Sequence, residues 1–77
     1  VDSIALAIRN CRKAQNLSQE ELADRSGLDR TYISGVERGV RNITLGSLEQ
    51  IITALRITPS DFFILATQED NHDVSNK

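Results

Sequence analysis

The sequence predicts an all-α domain built from five short helices. Three observations carry that reading. No stretch alternates apolar and polar residues long enough to make a strand, whereas apolar residues recur at three- and four-residue spacing along the chain. The apolar segments are set off by residues that cap helices or by glycines that end them. The 77 residues are 39% hydrophobic and 26% charged, the balance of a globular domain rather than a disordered one.

Ile4, Ile8 and Cys11 fall at i, i+4 and i+7 and predict a first helix from about Asp2 to Ala14, broken by Asn16 and Leu17. Ser18 followed three residues later by Glu21 is a capping box. The serine hydroxyl accepts from the amide at N3 and the glutamate reaches back to the cap. A second helix follows, with Leu22 and Ala23 inward, and Gly27 ends it because glycine takes the left-handed conformation without steric cost. Asp29 caps a third helix and puts negative charge at the positive end of its dipole. Gly39 stops that helix. Thr44 caps a fourth, whose Leu45, Leu48, Ile51, Ile52 and Leu55 form one apolar stripe. Thr58-Pro59 opens a fifth, with proline at the first helical position, where its missing N–H costs nothing. Residues 1–66 then make the domain, and residues 67–77, which include the single His72, make a polar tail expected to fray.

The composition bounds the function. A domain this small buries only about 60% of its unfolded surface, so a partner subunit would help it. There is no run of about 18 apolar residues, so no membrane span is expected. No signal-peptide pattern is visible. The chain opens on Val1 and contains no Met, so a missing or processed start is expected. Cys11 is the only cysteine, which excludes an intramolecular disulfide and fits a reducing cytoplasm. There is no Cys/His pair, no cluster of metal ligands and no glycine loop to cradle phosphate. An enzyme, a metal, a cofactor and a small-molecule ligand are therefore not expected.

The net charge of −2 looks wrong for a nucleic-acid binder until it is mapped. Residues 1–24 sum to −1, residues 25–42 to +2 and residues 43–77 to −3. Positive charge gathers on Arg25, Arg30, Arg38 and Arg41, and a DNA footprint needs only such a local patch.

The third helix has the form of a reading head. On a wheel of about 100° per residue starting at Asp29, Ile33 falls at about 40° and Val36 at about 340°. With Leu28 they make the buried side. Arg30 (about 100°), Ser34 (about 140°), Arg38 (about 180°), Thr31 (about 200°) and Gly35 (about 240°) share the other face. Arginine can bond both O6 and N7 of a guanine edge, and threonine can bond a base or place its methyl on a thymine methyl. Arg30, Thr31 and Ser34 are therefore the candidate base contacts, the first two at the N-terminal end that enters the groove in a helix-turn-helix. Gly35, without a side chain, would let backbone or phosphate come close. Tyr32, at about 300°, would pack its ring inward and reach a phosphate with its hydroxyl. Gln19, Arg38, Arg41 and Asn42 are the remaining candidate backbone contacts, holding register while base contacts choose sequence.

The segments Gln19-Glu20-Glu21-Leu22-Ala23, Gly27-Leu28, Ile33-Ser34 and Val36-Glu37-Arg38-Gly39 resemble the lambda-repressor-like (Xre-type) helix-turn-helix family. The stretch LDRTYISGVERGVRNITLGSLE is similar, more narrowly, to the controller proteins of restriction–modification systems. The resemblance covers residues 4 to about 65. It implies a five-helix fold with the helix-turn-helix at helices 2 and 3. It also implies a homodimer that binds paired, palindromic double-stranded DNA operators in a bacterial cytoplasm, associated with the nucleoid. It implies base reading by Arg30 and Thr31, phosphate contacts by Gln19, Arg41 and Asn42, and an Arg12–Glu37 pair that ties helix 1 to the reading helix. Many members of the broad family carry a base-contacting side chain where Gly35 stands, which leaves part of the specificity to DNA shape.

The run Phe62 to Leu65 surrounds much of helix 5, more than one subunit's core can cover. Phe62, Phe63 and Leu65 are therefore the candidate dimer interface. The competing reading is an antitoxin-type or phage-repressor-type protein whose main partner is another protein. Salt separates the two, since DNA binding weakens steeply with ionic strength and an apolar protein interface does not.

Overall fold

A computed structural model describes residues 3–74, with side chains described through residue 68. Among the described residues five helices follow one another: α1 (Ser3–Ala14), α2 (Gln19–Ser26), α3 (Arg30–Glu37), α4 (Leu45–Ala54) and α5 (Pro59–Val74). No strand occurs among the described residues.

The local signals in the sequence fix most boundaries. Ser18 makes both halves of the capping box: its Oγ accepts from the Glu21 amide at 3.0 Å, and Glu21 Oε1 accepts from the Ser18 amide at 2.8 Å. The Ser18 amide bond holds the Glu21 carboxyl below its ordinary value of 4.5, with the Ser18 side chain adding to the same effect. Gly27 closes α2 at φ 75° and returns its N–H to the Ala23 carbonyl. Asp29 and Thr44 cap α3 and α4. Thr58 Oγ1 accepts from the Asp61 amide at 3.0 Å where Pro59 begins α5. Asn16 takes φ 58° between α1 and α2, a conformation asparagine tolerates better than most residues.

The core lies where one face of each helix converges. Ile8, Leu22, Ile33, Ile51, Leu55 and Phe62 are its largest fully buried side chains. α1 packs on α5 and α3, α2 on α3 and α4, and α4 on α5. Two glutamines tie carbonyls across elements: Gln15 Nε2 donates to Leu55 O at 2.6 Å, and Gln50 Nε2 to Ser26 O at 3.0 Å. Ile4 and Cys11 pack partly buried at the core's edge, and burial raises the Cys11 thiol pKa.

Three expectations change. Phe62 is not a surface residue available to a partner. It is completely buried, with Ala66 one turn on beside it in the core. A run of four residues spans a full helical turn, so only part of it can face inward. Phe63, Ile64 and Leu65 remain exposed at 44%, 53% and 40%. Leu45 does not join the core stripe of α4 but is 85% exposed. It stands in the first turn of α4, at the rim of an apolar groove of about 330 Å³ shared with Leu48, Ile52, Pro59 and Phe63. α5 also continues as helical backbone to Val74, so much of the segment assigned to a tail is helix. Residues 75–77 of that tail lie outside the described residues.

Candidate nucleic-acid interface

Two short helices and a glycine turn present the candidate surface. Gly27 reverses the chain, and the Asp29 side chain accepts from the Thr31 amide at 3.4 Å, which starts α3 at Arg30. Ile33 and Val36, 0% and 3% exposed, fasten one side of α3 into the core. Arg30 and Thr31 are exposed in its first turn, and Ser34 is half-buried one turn later. Arg38 stands just beyond the helix as its C-cap, exposed, with Nε donating weakly to Ser34 O at 3.4 Å. The wheel and the structure thus agree for these residues.

Beneath this surface lies an ion pair. Arg12 Nε donates to Glu37 Oε2 at 2.7 Å and Nη2 donates to Oε1 at 2.9 Å, a two-pronged match of guanidinium to carboxylate. Arg12 Nη1 also donates to the Leu17 carbonyl at 2.8 Å. One guanidinium therefore joins α1, the loop before α2 and the end of α3. The Glu37 hydrogen bond raises the Arg12 pKa and outweighs the opposing effect of burial. Gln19 Nε2 donates to Glu37 Oε1 at 3.1 Å, so the side chain expected at a phosphate is first held by the carboxylate. One of its two amide hydrogens is used there.

The segment after α3 folds back onto the helix. Val40 and Arg41 amides both donate to the Gly35 carbonyl, at 3.0 and 3.2 Å, and Gly39 supplies φ 76° for the turn. The Arg41 guanidinium carbon stands 5.3 Å from the Tyr32 ring centroid, a cation–π arrangement. Tyr32 packs its ring against the core, as the wheel predicts. Its hydroxyl, however, spans the loop, donating to Asn42 O at 3.5 Å and accepting from the Thr44 amide at 3.4 Å. Asn42 and Arg41 are both exposed. Thr31, Tyr32 and Arg41 line a shallow hollow of about 370 Å³ with Gly27, Asp29 and Ser47.

Gly35 departs from expectation. It is buried rather than open to an approaching backbone, and the Arg41 side chain covers it. The wheel shows where a position points, not which distant side chain returns to cover it. A glycine inside a short helix, unfavourable there by itself, was the only available signal. Among the described residues no group of three or more His, Cys, Asp or Glu side chains could hold a metal ion, and no helix is long and apolar enough to cross a membrane.

Comparison with known proteins places this geometry. A family model described as helix-turn-helix matches residues 8–62. Control protein C.BamHI of Bacillus amyloliquefaciens is 48% identical over 52 residues, covering 68% of this chain and 64% of that protein. Control protein C.SmaI of Serratia marcescens is 52% identical over 52 residues, covering 68% and 62%. The chain thus spans just under two thirds of the length of these two relatives. The solved wild-type restriction-modification controller protein C.Esp1396I superposes with a TM-score of 0.86 at 41% identity, covering 88% of this chain and 90% of that one. The same protein, solved as a tetramer in complex with its natural 35 base-pair operator, matches with the same TM-score and coverage.

Proposed function

We propose a function from one premise: the chain belongs to the helix-turn-helix family, whose model spans residues 8–62. Within that family it is a sequence-specific, DNA-binding transcriptional regulator, acting as the homodimeric controller of a restriction–modification system. It carries no catalytic step and works in the bacterial cytoplasm, on the nucleoid. The observation that carries the reading is the presentation of α3. Arg30 and Thr31 are exposed at its N-terminal turn, while Ile33 and Val36 lock the opposite side. The similarity to the control proteins C.BamHI and C.SmaI, and to C.Esp1396I in its operator complex, supports it.

The residues divide the work by their chemistry. Arg30 bonds a guanine edge, Thr31 bonds a base or meets a thymine methyl, and Ser34 lies near enough to add a hydrogen bond. Gln19 offers its second amide hydrogen to a phosphate, at a helix N-terminus that itself favours an anion. Arg38, Arg41 and Asn42 grip the backbone from the far end of α3. The long, weak bonds of the Tyr32 hydroxyl are easily exchanged for a phosphate oxygen. In a two-fold dimer the two reading helices sit about one DNA turn apart, roughly 34 Å, which calls for a palindromic site.

The test begins with selection of bound sites from random DNA by the native chain. On the selected site, Arg30→Ala is expected to lose about 1–3 kcal/mol and to relax preference at one base pair in each half-site. Unaltered affinity together with unaltered preference refutes base reading by Arg30.

A further inference from the structure

We infer that Gly35 is a positioning residue for DNA recognition: its bare Cα is the seat on which the Arg41 stem lies, and the seat holds the Arg41 guanidinium over the Tyr32 ring. The inference rests on the DNA-binding reading and deepens it. Position 35 points outward on the wheel, yet Gly35 is buried, and what covers it is Arg41. A Cβ built at Gly35 would stand 3.0 Å from Arg41 Cγ, 3.3 Å from its Cβ and 3.5 Å from its Cδ. The two nearer contacts are tighter than most carbon–carbon packing, so the arginine stem would have to give by a few tenths of an ångström. The atoms that would have to give are the base of the arginine stem, close to the loop backbone, and not its free end. That backbone is itself pinned, because the Val40 and Arg41 amides both donate to the Gly35 carbonyl.

Tyr32 and Gly35 are i, i+3 neighbours and share one ridge of α3. The arginine stem lies along that ridge, with no side chain under it at one end and a flat ring at the other. The Tyr32 hydroxyl reaches across the loop through long bonds to Asn42 O and the Thr44 amide. Arg41 is therefore not a loose cation on a loop. Its rotamer is restricted before DNA arrives, so less side-chain freedom is lost on binding. Arg41 stays exposed as a residue, open to a phosphate or base edge.

Gly35→Ala isolates this role, because alanine favours a helix more than glycine does and would stabilise α3 if nothing lay above it. Operator affinity of Gly35→Ala is expected to fall roughly three- to tenfold, as for one side chain that must be ordered on binding. Its salt dependence should shift toward that of Arg41→Ala. In an Arg41→Ala background, where Cγ and Cδ are gone and only the Cβ contact at 3.3 Å remains, Gly35→Ala should cause a much smaller loss. A loss of the same size in both backgrounds overturns the inference, since it would mean that DNA itself needs the space. The second readout is nuclear magnetic resonance of the free protein. The Arg41 side-chain methylenes should show upfield ring-current shifts that vanish in Tyr32→Leu and diminish in Gly35→Ala. Shifts unmoved by Gly35→Ala also overturn the seat. This readout needs no DNA, so a native chain that selects no site defeats the DNA-binding reading and leaves the seat to be decided by the shifts.

Discussion

At the scale of single residues, the pair Arg12–Glu37 organises the reading surface although neither partner points at DNA. The side chains are only 10% and 3% exposed, so neither charge can fall back on water if its partner is lost. Glu37 holds both the guanidinium and the Gln19 amide, which makes it the hub between α1, α2 and α3. Removing the arginine alone leaves a buried carboxylate with no countercharge and only the Gln19 amide to bond it. Arg12→Leu is therefore expected to cost about 3–5 kcal/mol in chemical denaturation. The double replacement Arg12→Leu with Glu37→Leu should recover much of that loss, because no buried charge remains. If the single and double variants are equally destabilised, the pair is a packing feature and its charges are immaterial. The sequence resemblance pointed to this pair, but no spacing could have done so, since the two residues lie 25 apart.

At the scale of elements, helix starts and stops were readable because each depends on one or two neighbouring residues. Ser18 and Glu21, Gly27, Asp29, Thr44 and Pro59 all act where their chemistry placed them. What escaped the sequence was contact at a distance: the arginine lying on Gly35, the glutamine spans from Gln15 and Gln50, and the exposure of Leu45. Periodicity shows that a face is apolar but not how far the core reaches along it, so Leu45 read as buried and is not. The capping box carries a pH signature. Glu21 has its folded pKa lowered below its ordinary value, mainly by the Ser18 backbone bond. Its contribution is thus complete above the unfolded value and is lost as pH falls through the folded one. Glu21→Gln keeps an acceptor for the Ser18 amide but cannot titrate. It is expected to flatten part of the stability loss between pH about 4.5 and the lower folded value, measured by thermal melts. An acid branch identical to the native chain's would show that the capping carboxylate does not couple to folding. Ser18→Ala should cost about 1 kcal/mol at neutral pH, by removing the acceptor for the Glu21 amide.

At the scale of the whole molecule, the two phenylalanines of α5 separate folding from assembly. They touch edge to face, with ring centroids 5.5 Å apart and planes at 80°, yet Phe62 is fully buried and Phe63 is 44% exposed. Phe63 lines the groove floored by Leu48 and Ile52 and rimmed by Leu45, Ile64 borders a second hollow with Phe63, and Leu65 is also exposed. Such an apolar surface on so small a domain is what a second copy would cover, and covering it would offset the poor ratio of core to surface. The expectation for Phe62 is thus destabilisation: Phe62→Ala should cost about 3–5 kcal/mol, a large fraction of the stability of a domain of this size. Phe63→Ala with Leu65→Ala should behave differently. Helix content should persist at high protein concentration, the sedimenting mass should fall to that of one chain, and stability should lose its dependence on concentration. Operator affinity should then collapse even though Arg30, Thr31 and Arg41 are untouched, because one reading helix cannot span two half-sites. If that variant keeps the native mass, α5 is not the interface and the two-fold arrangement must be built on another face.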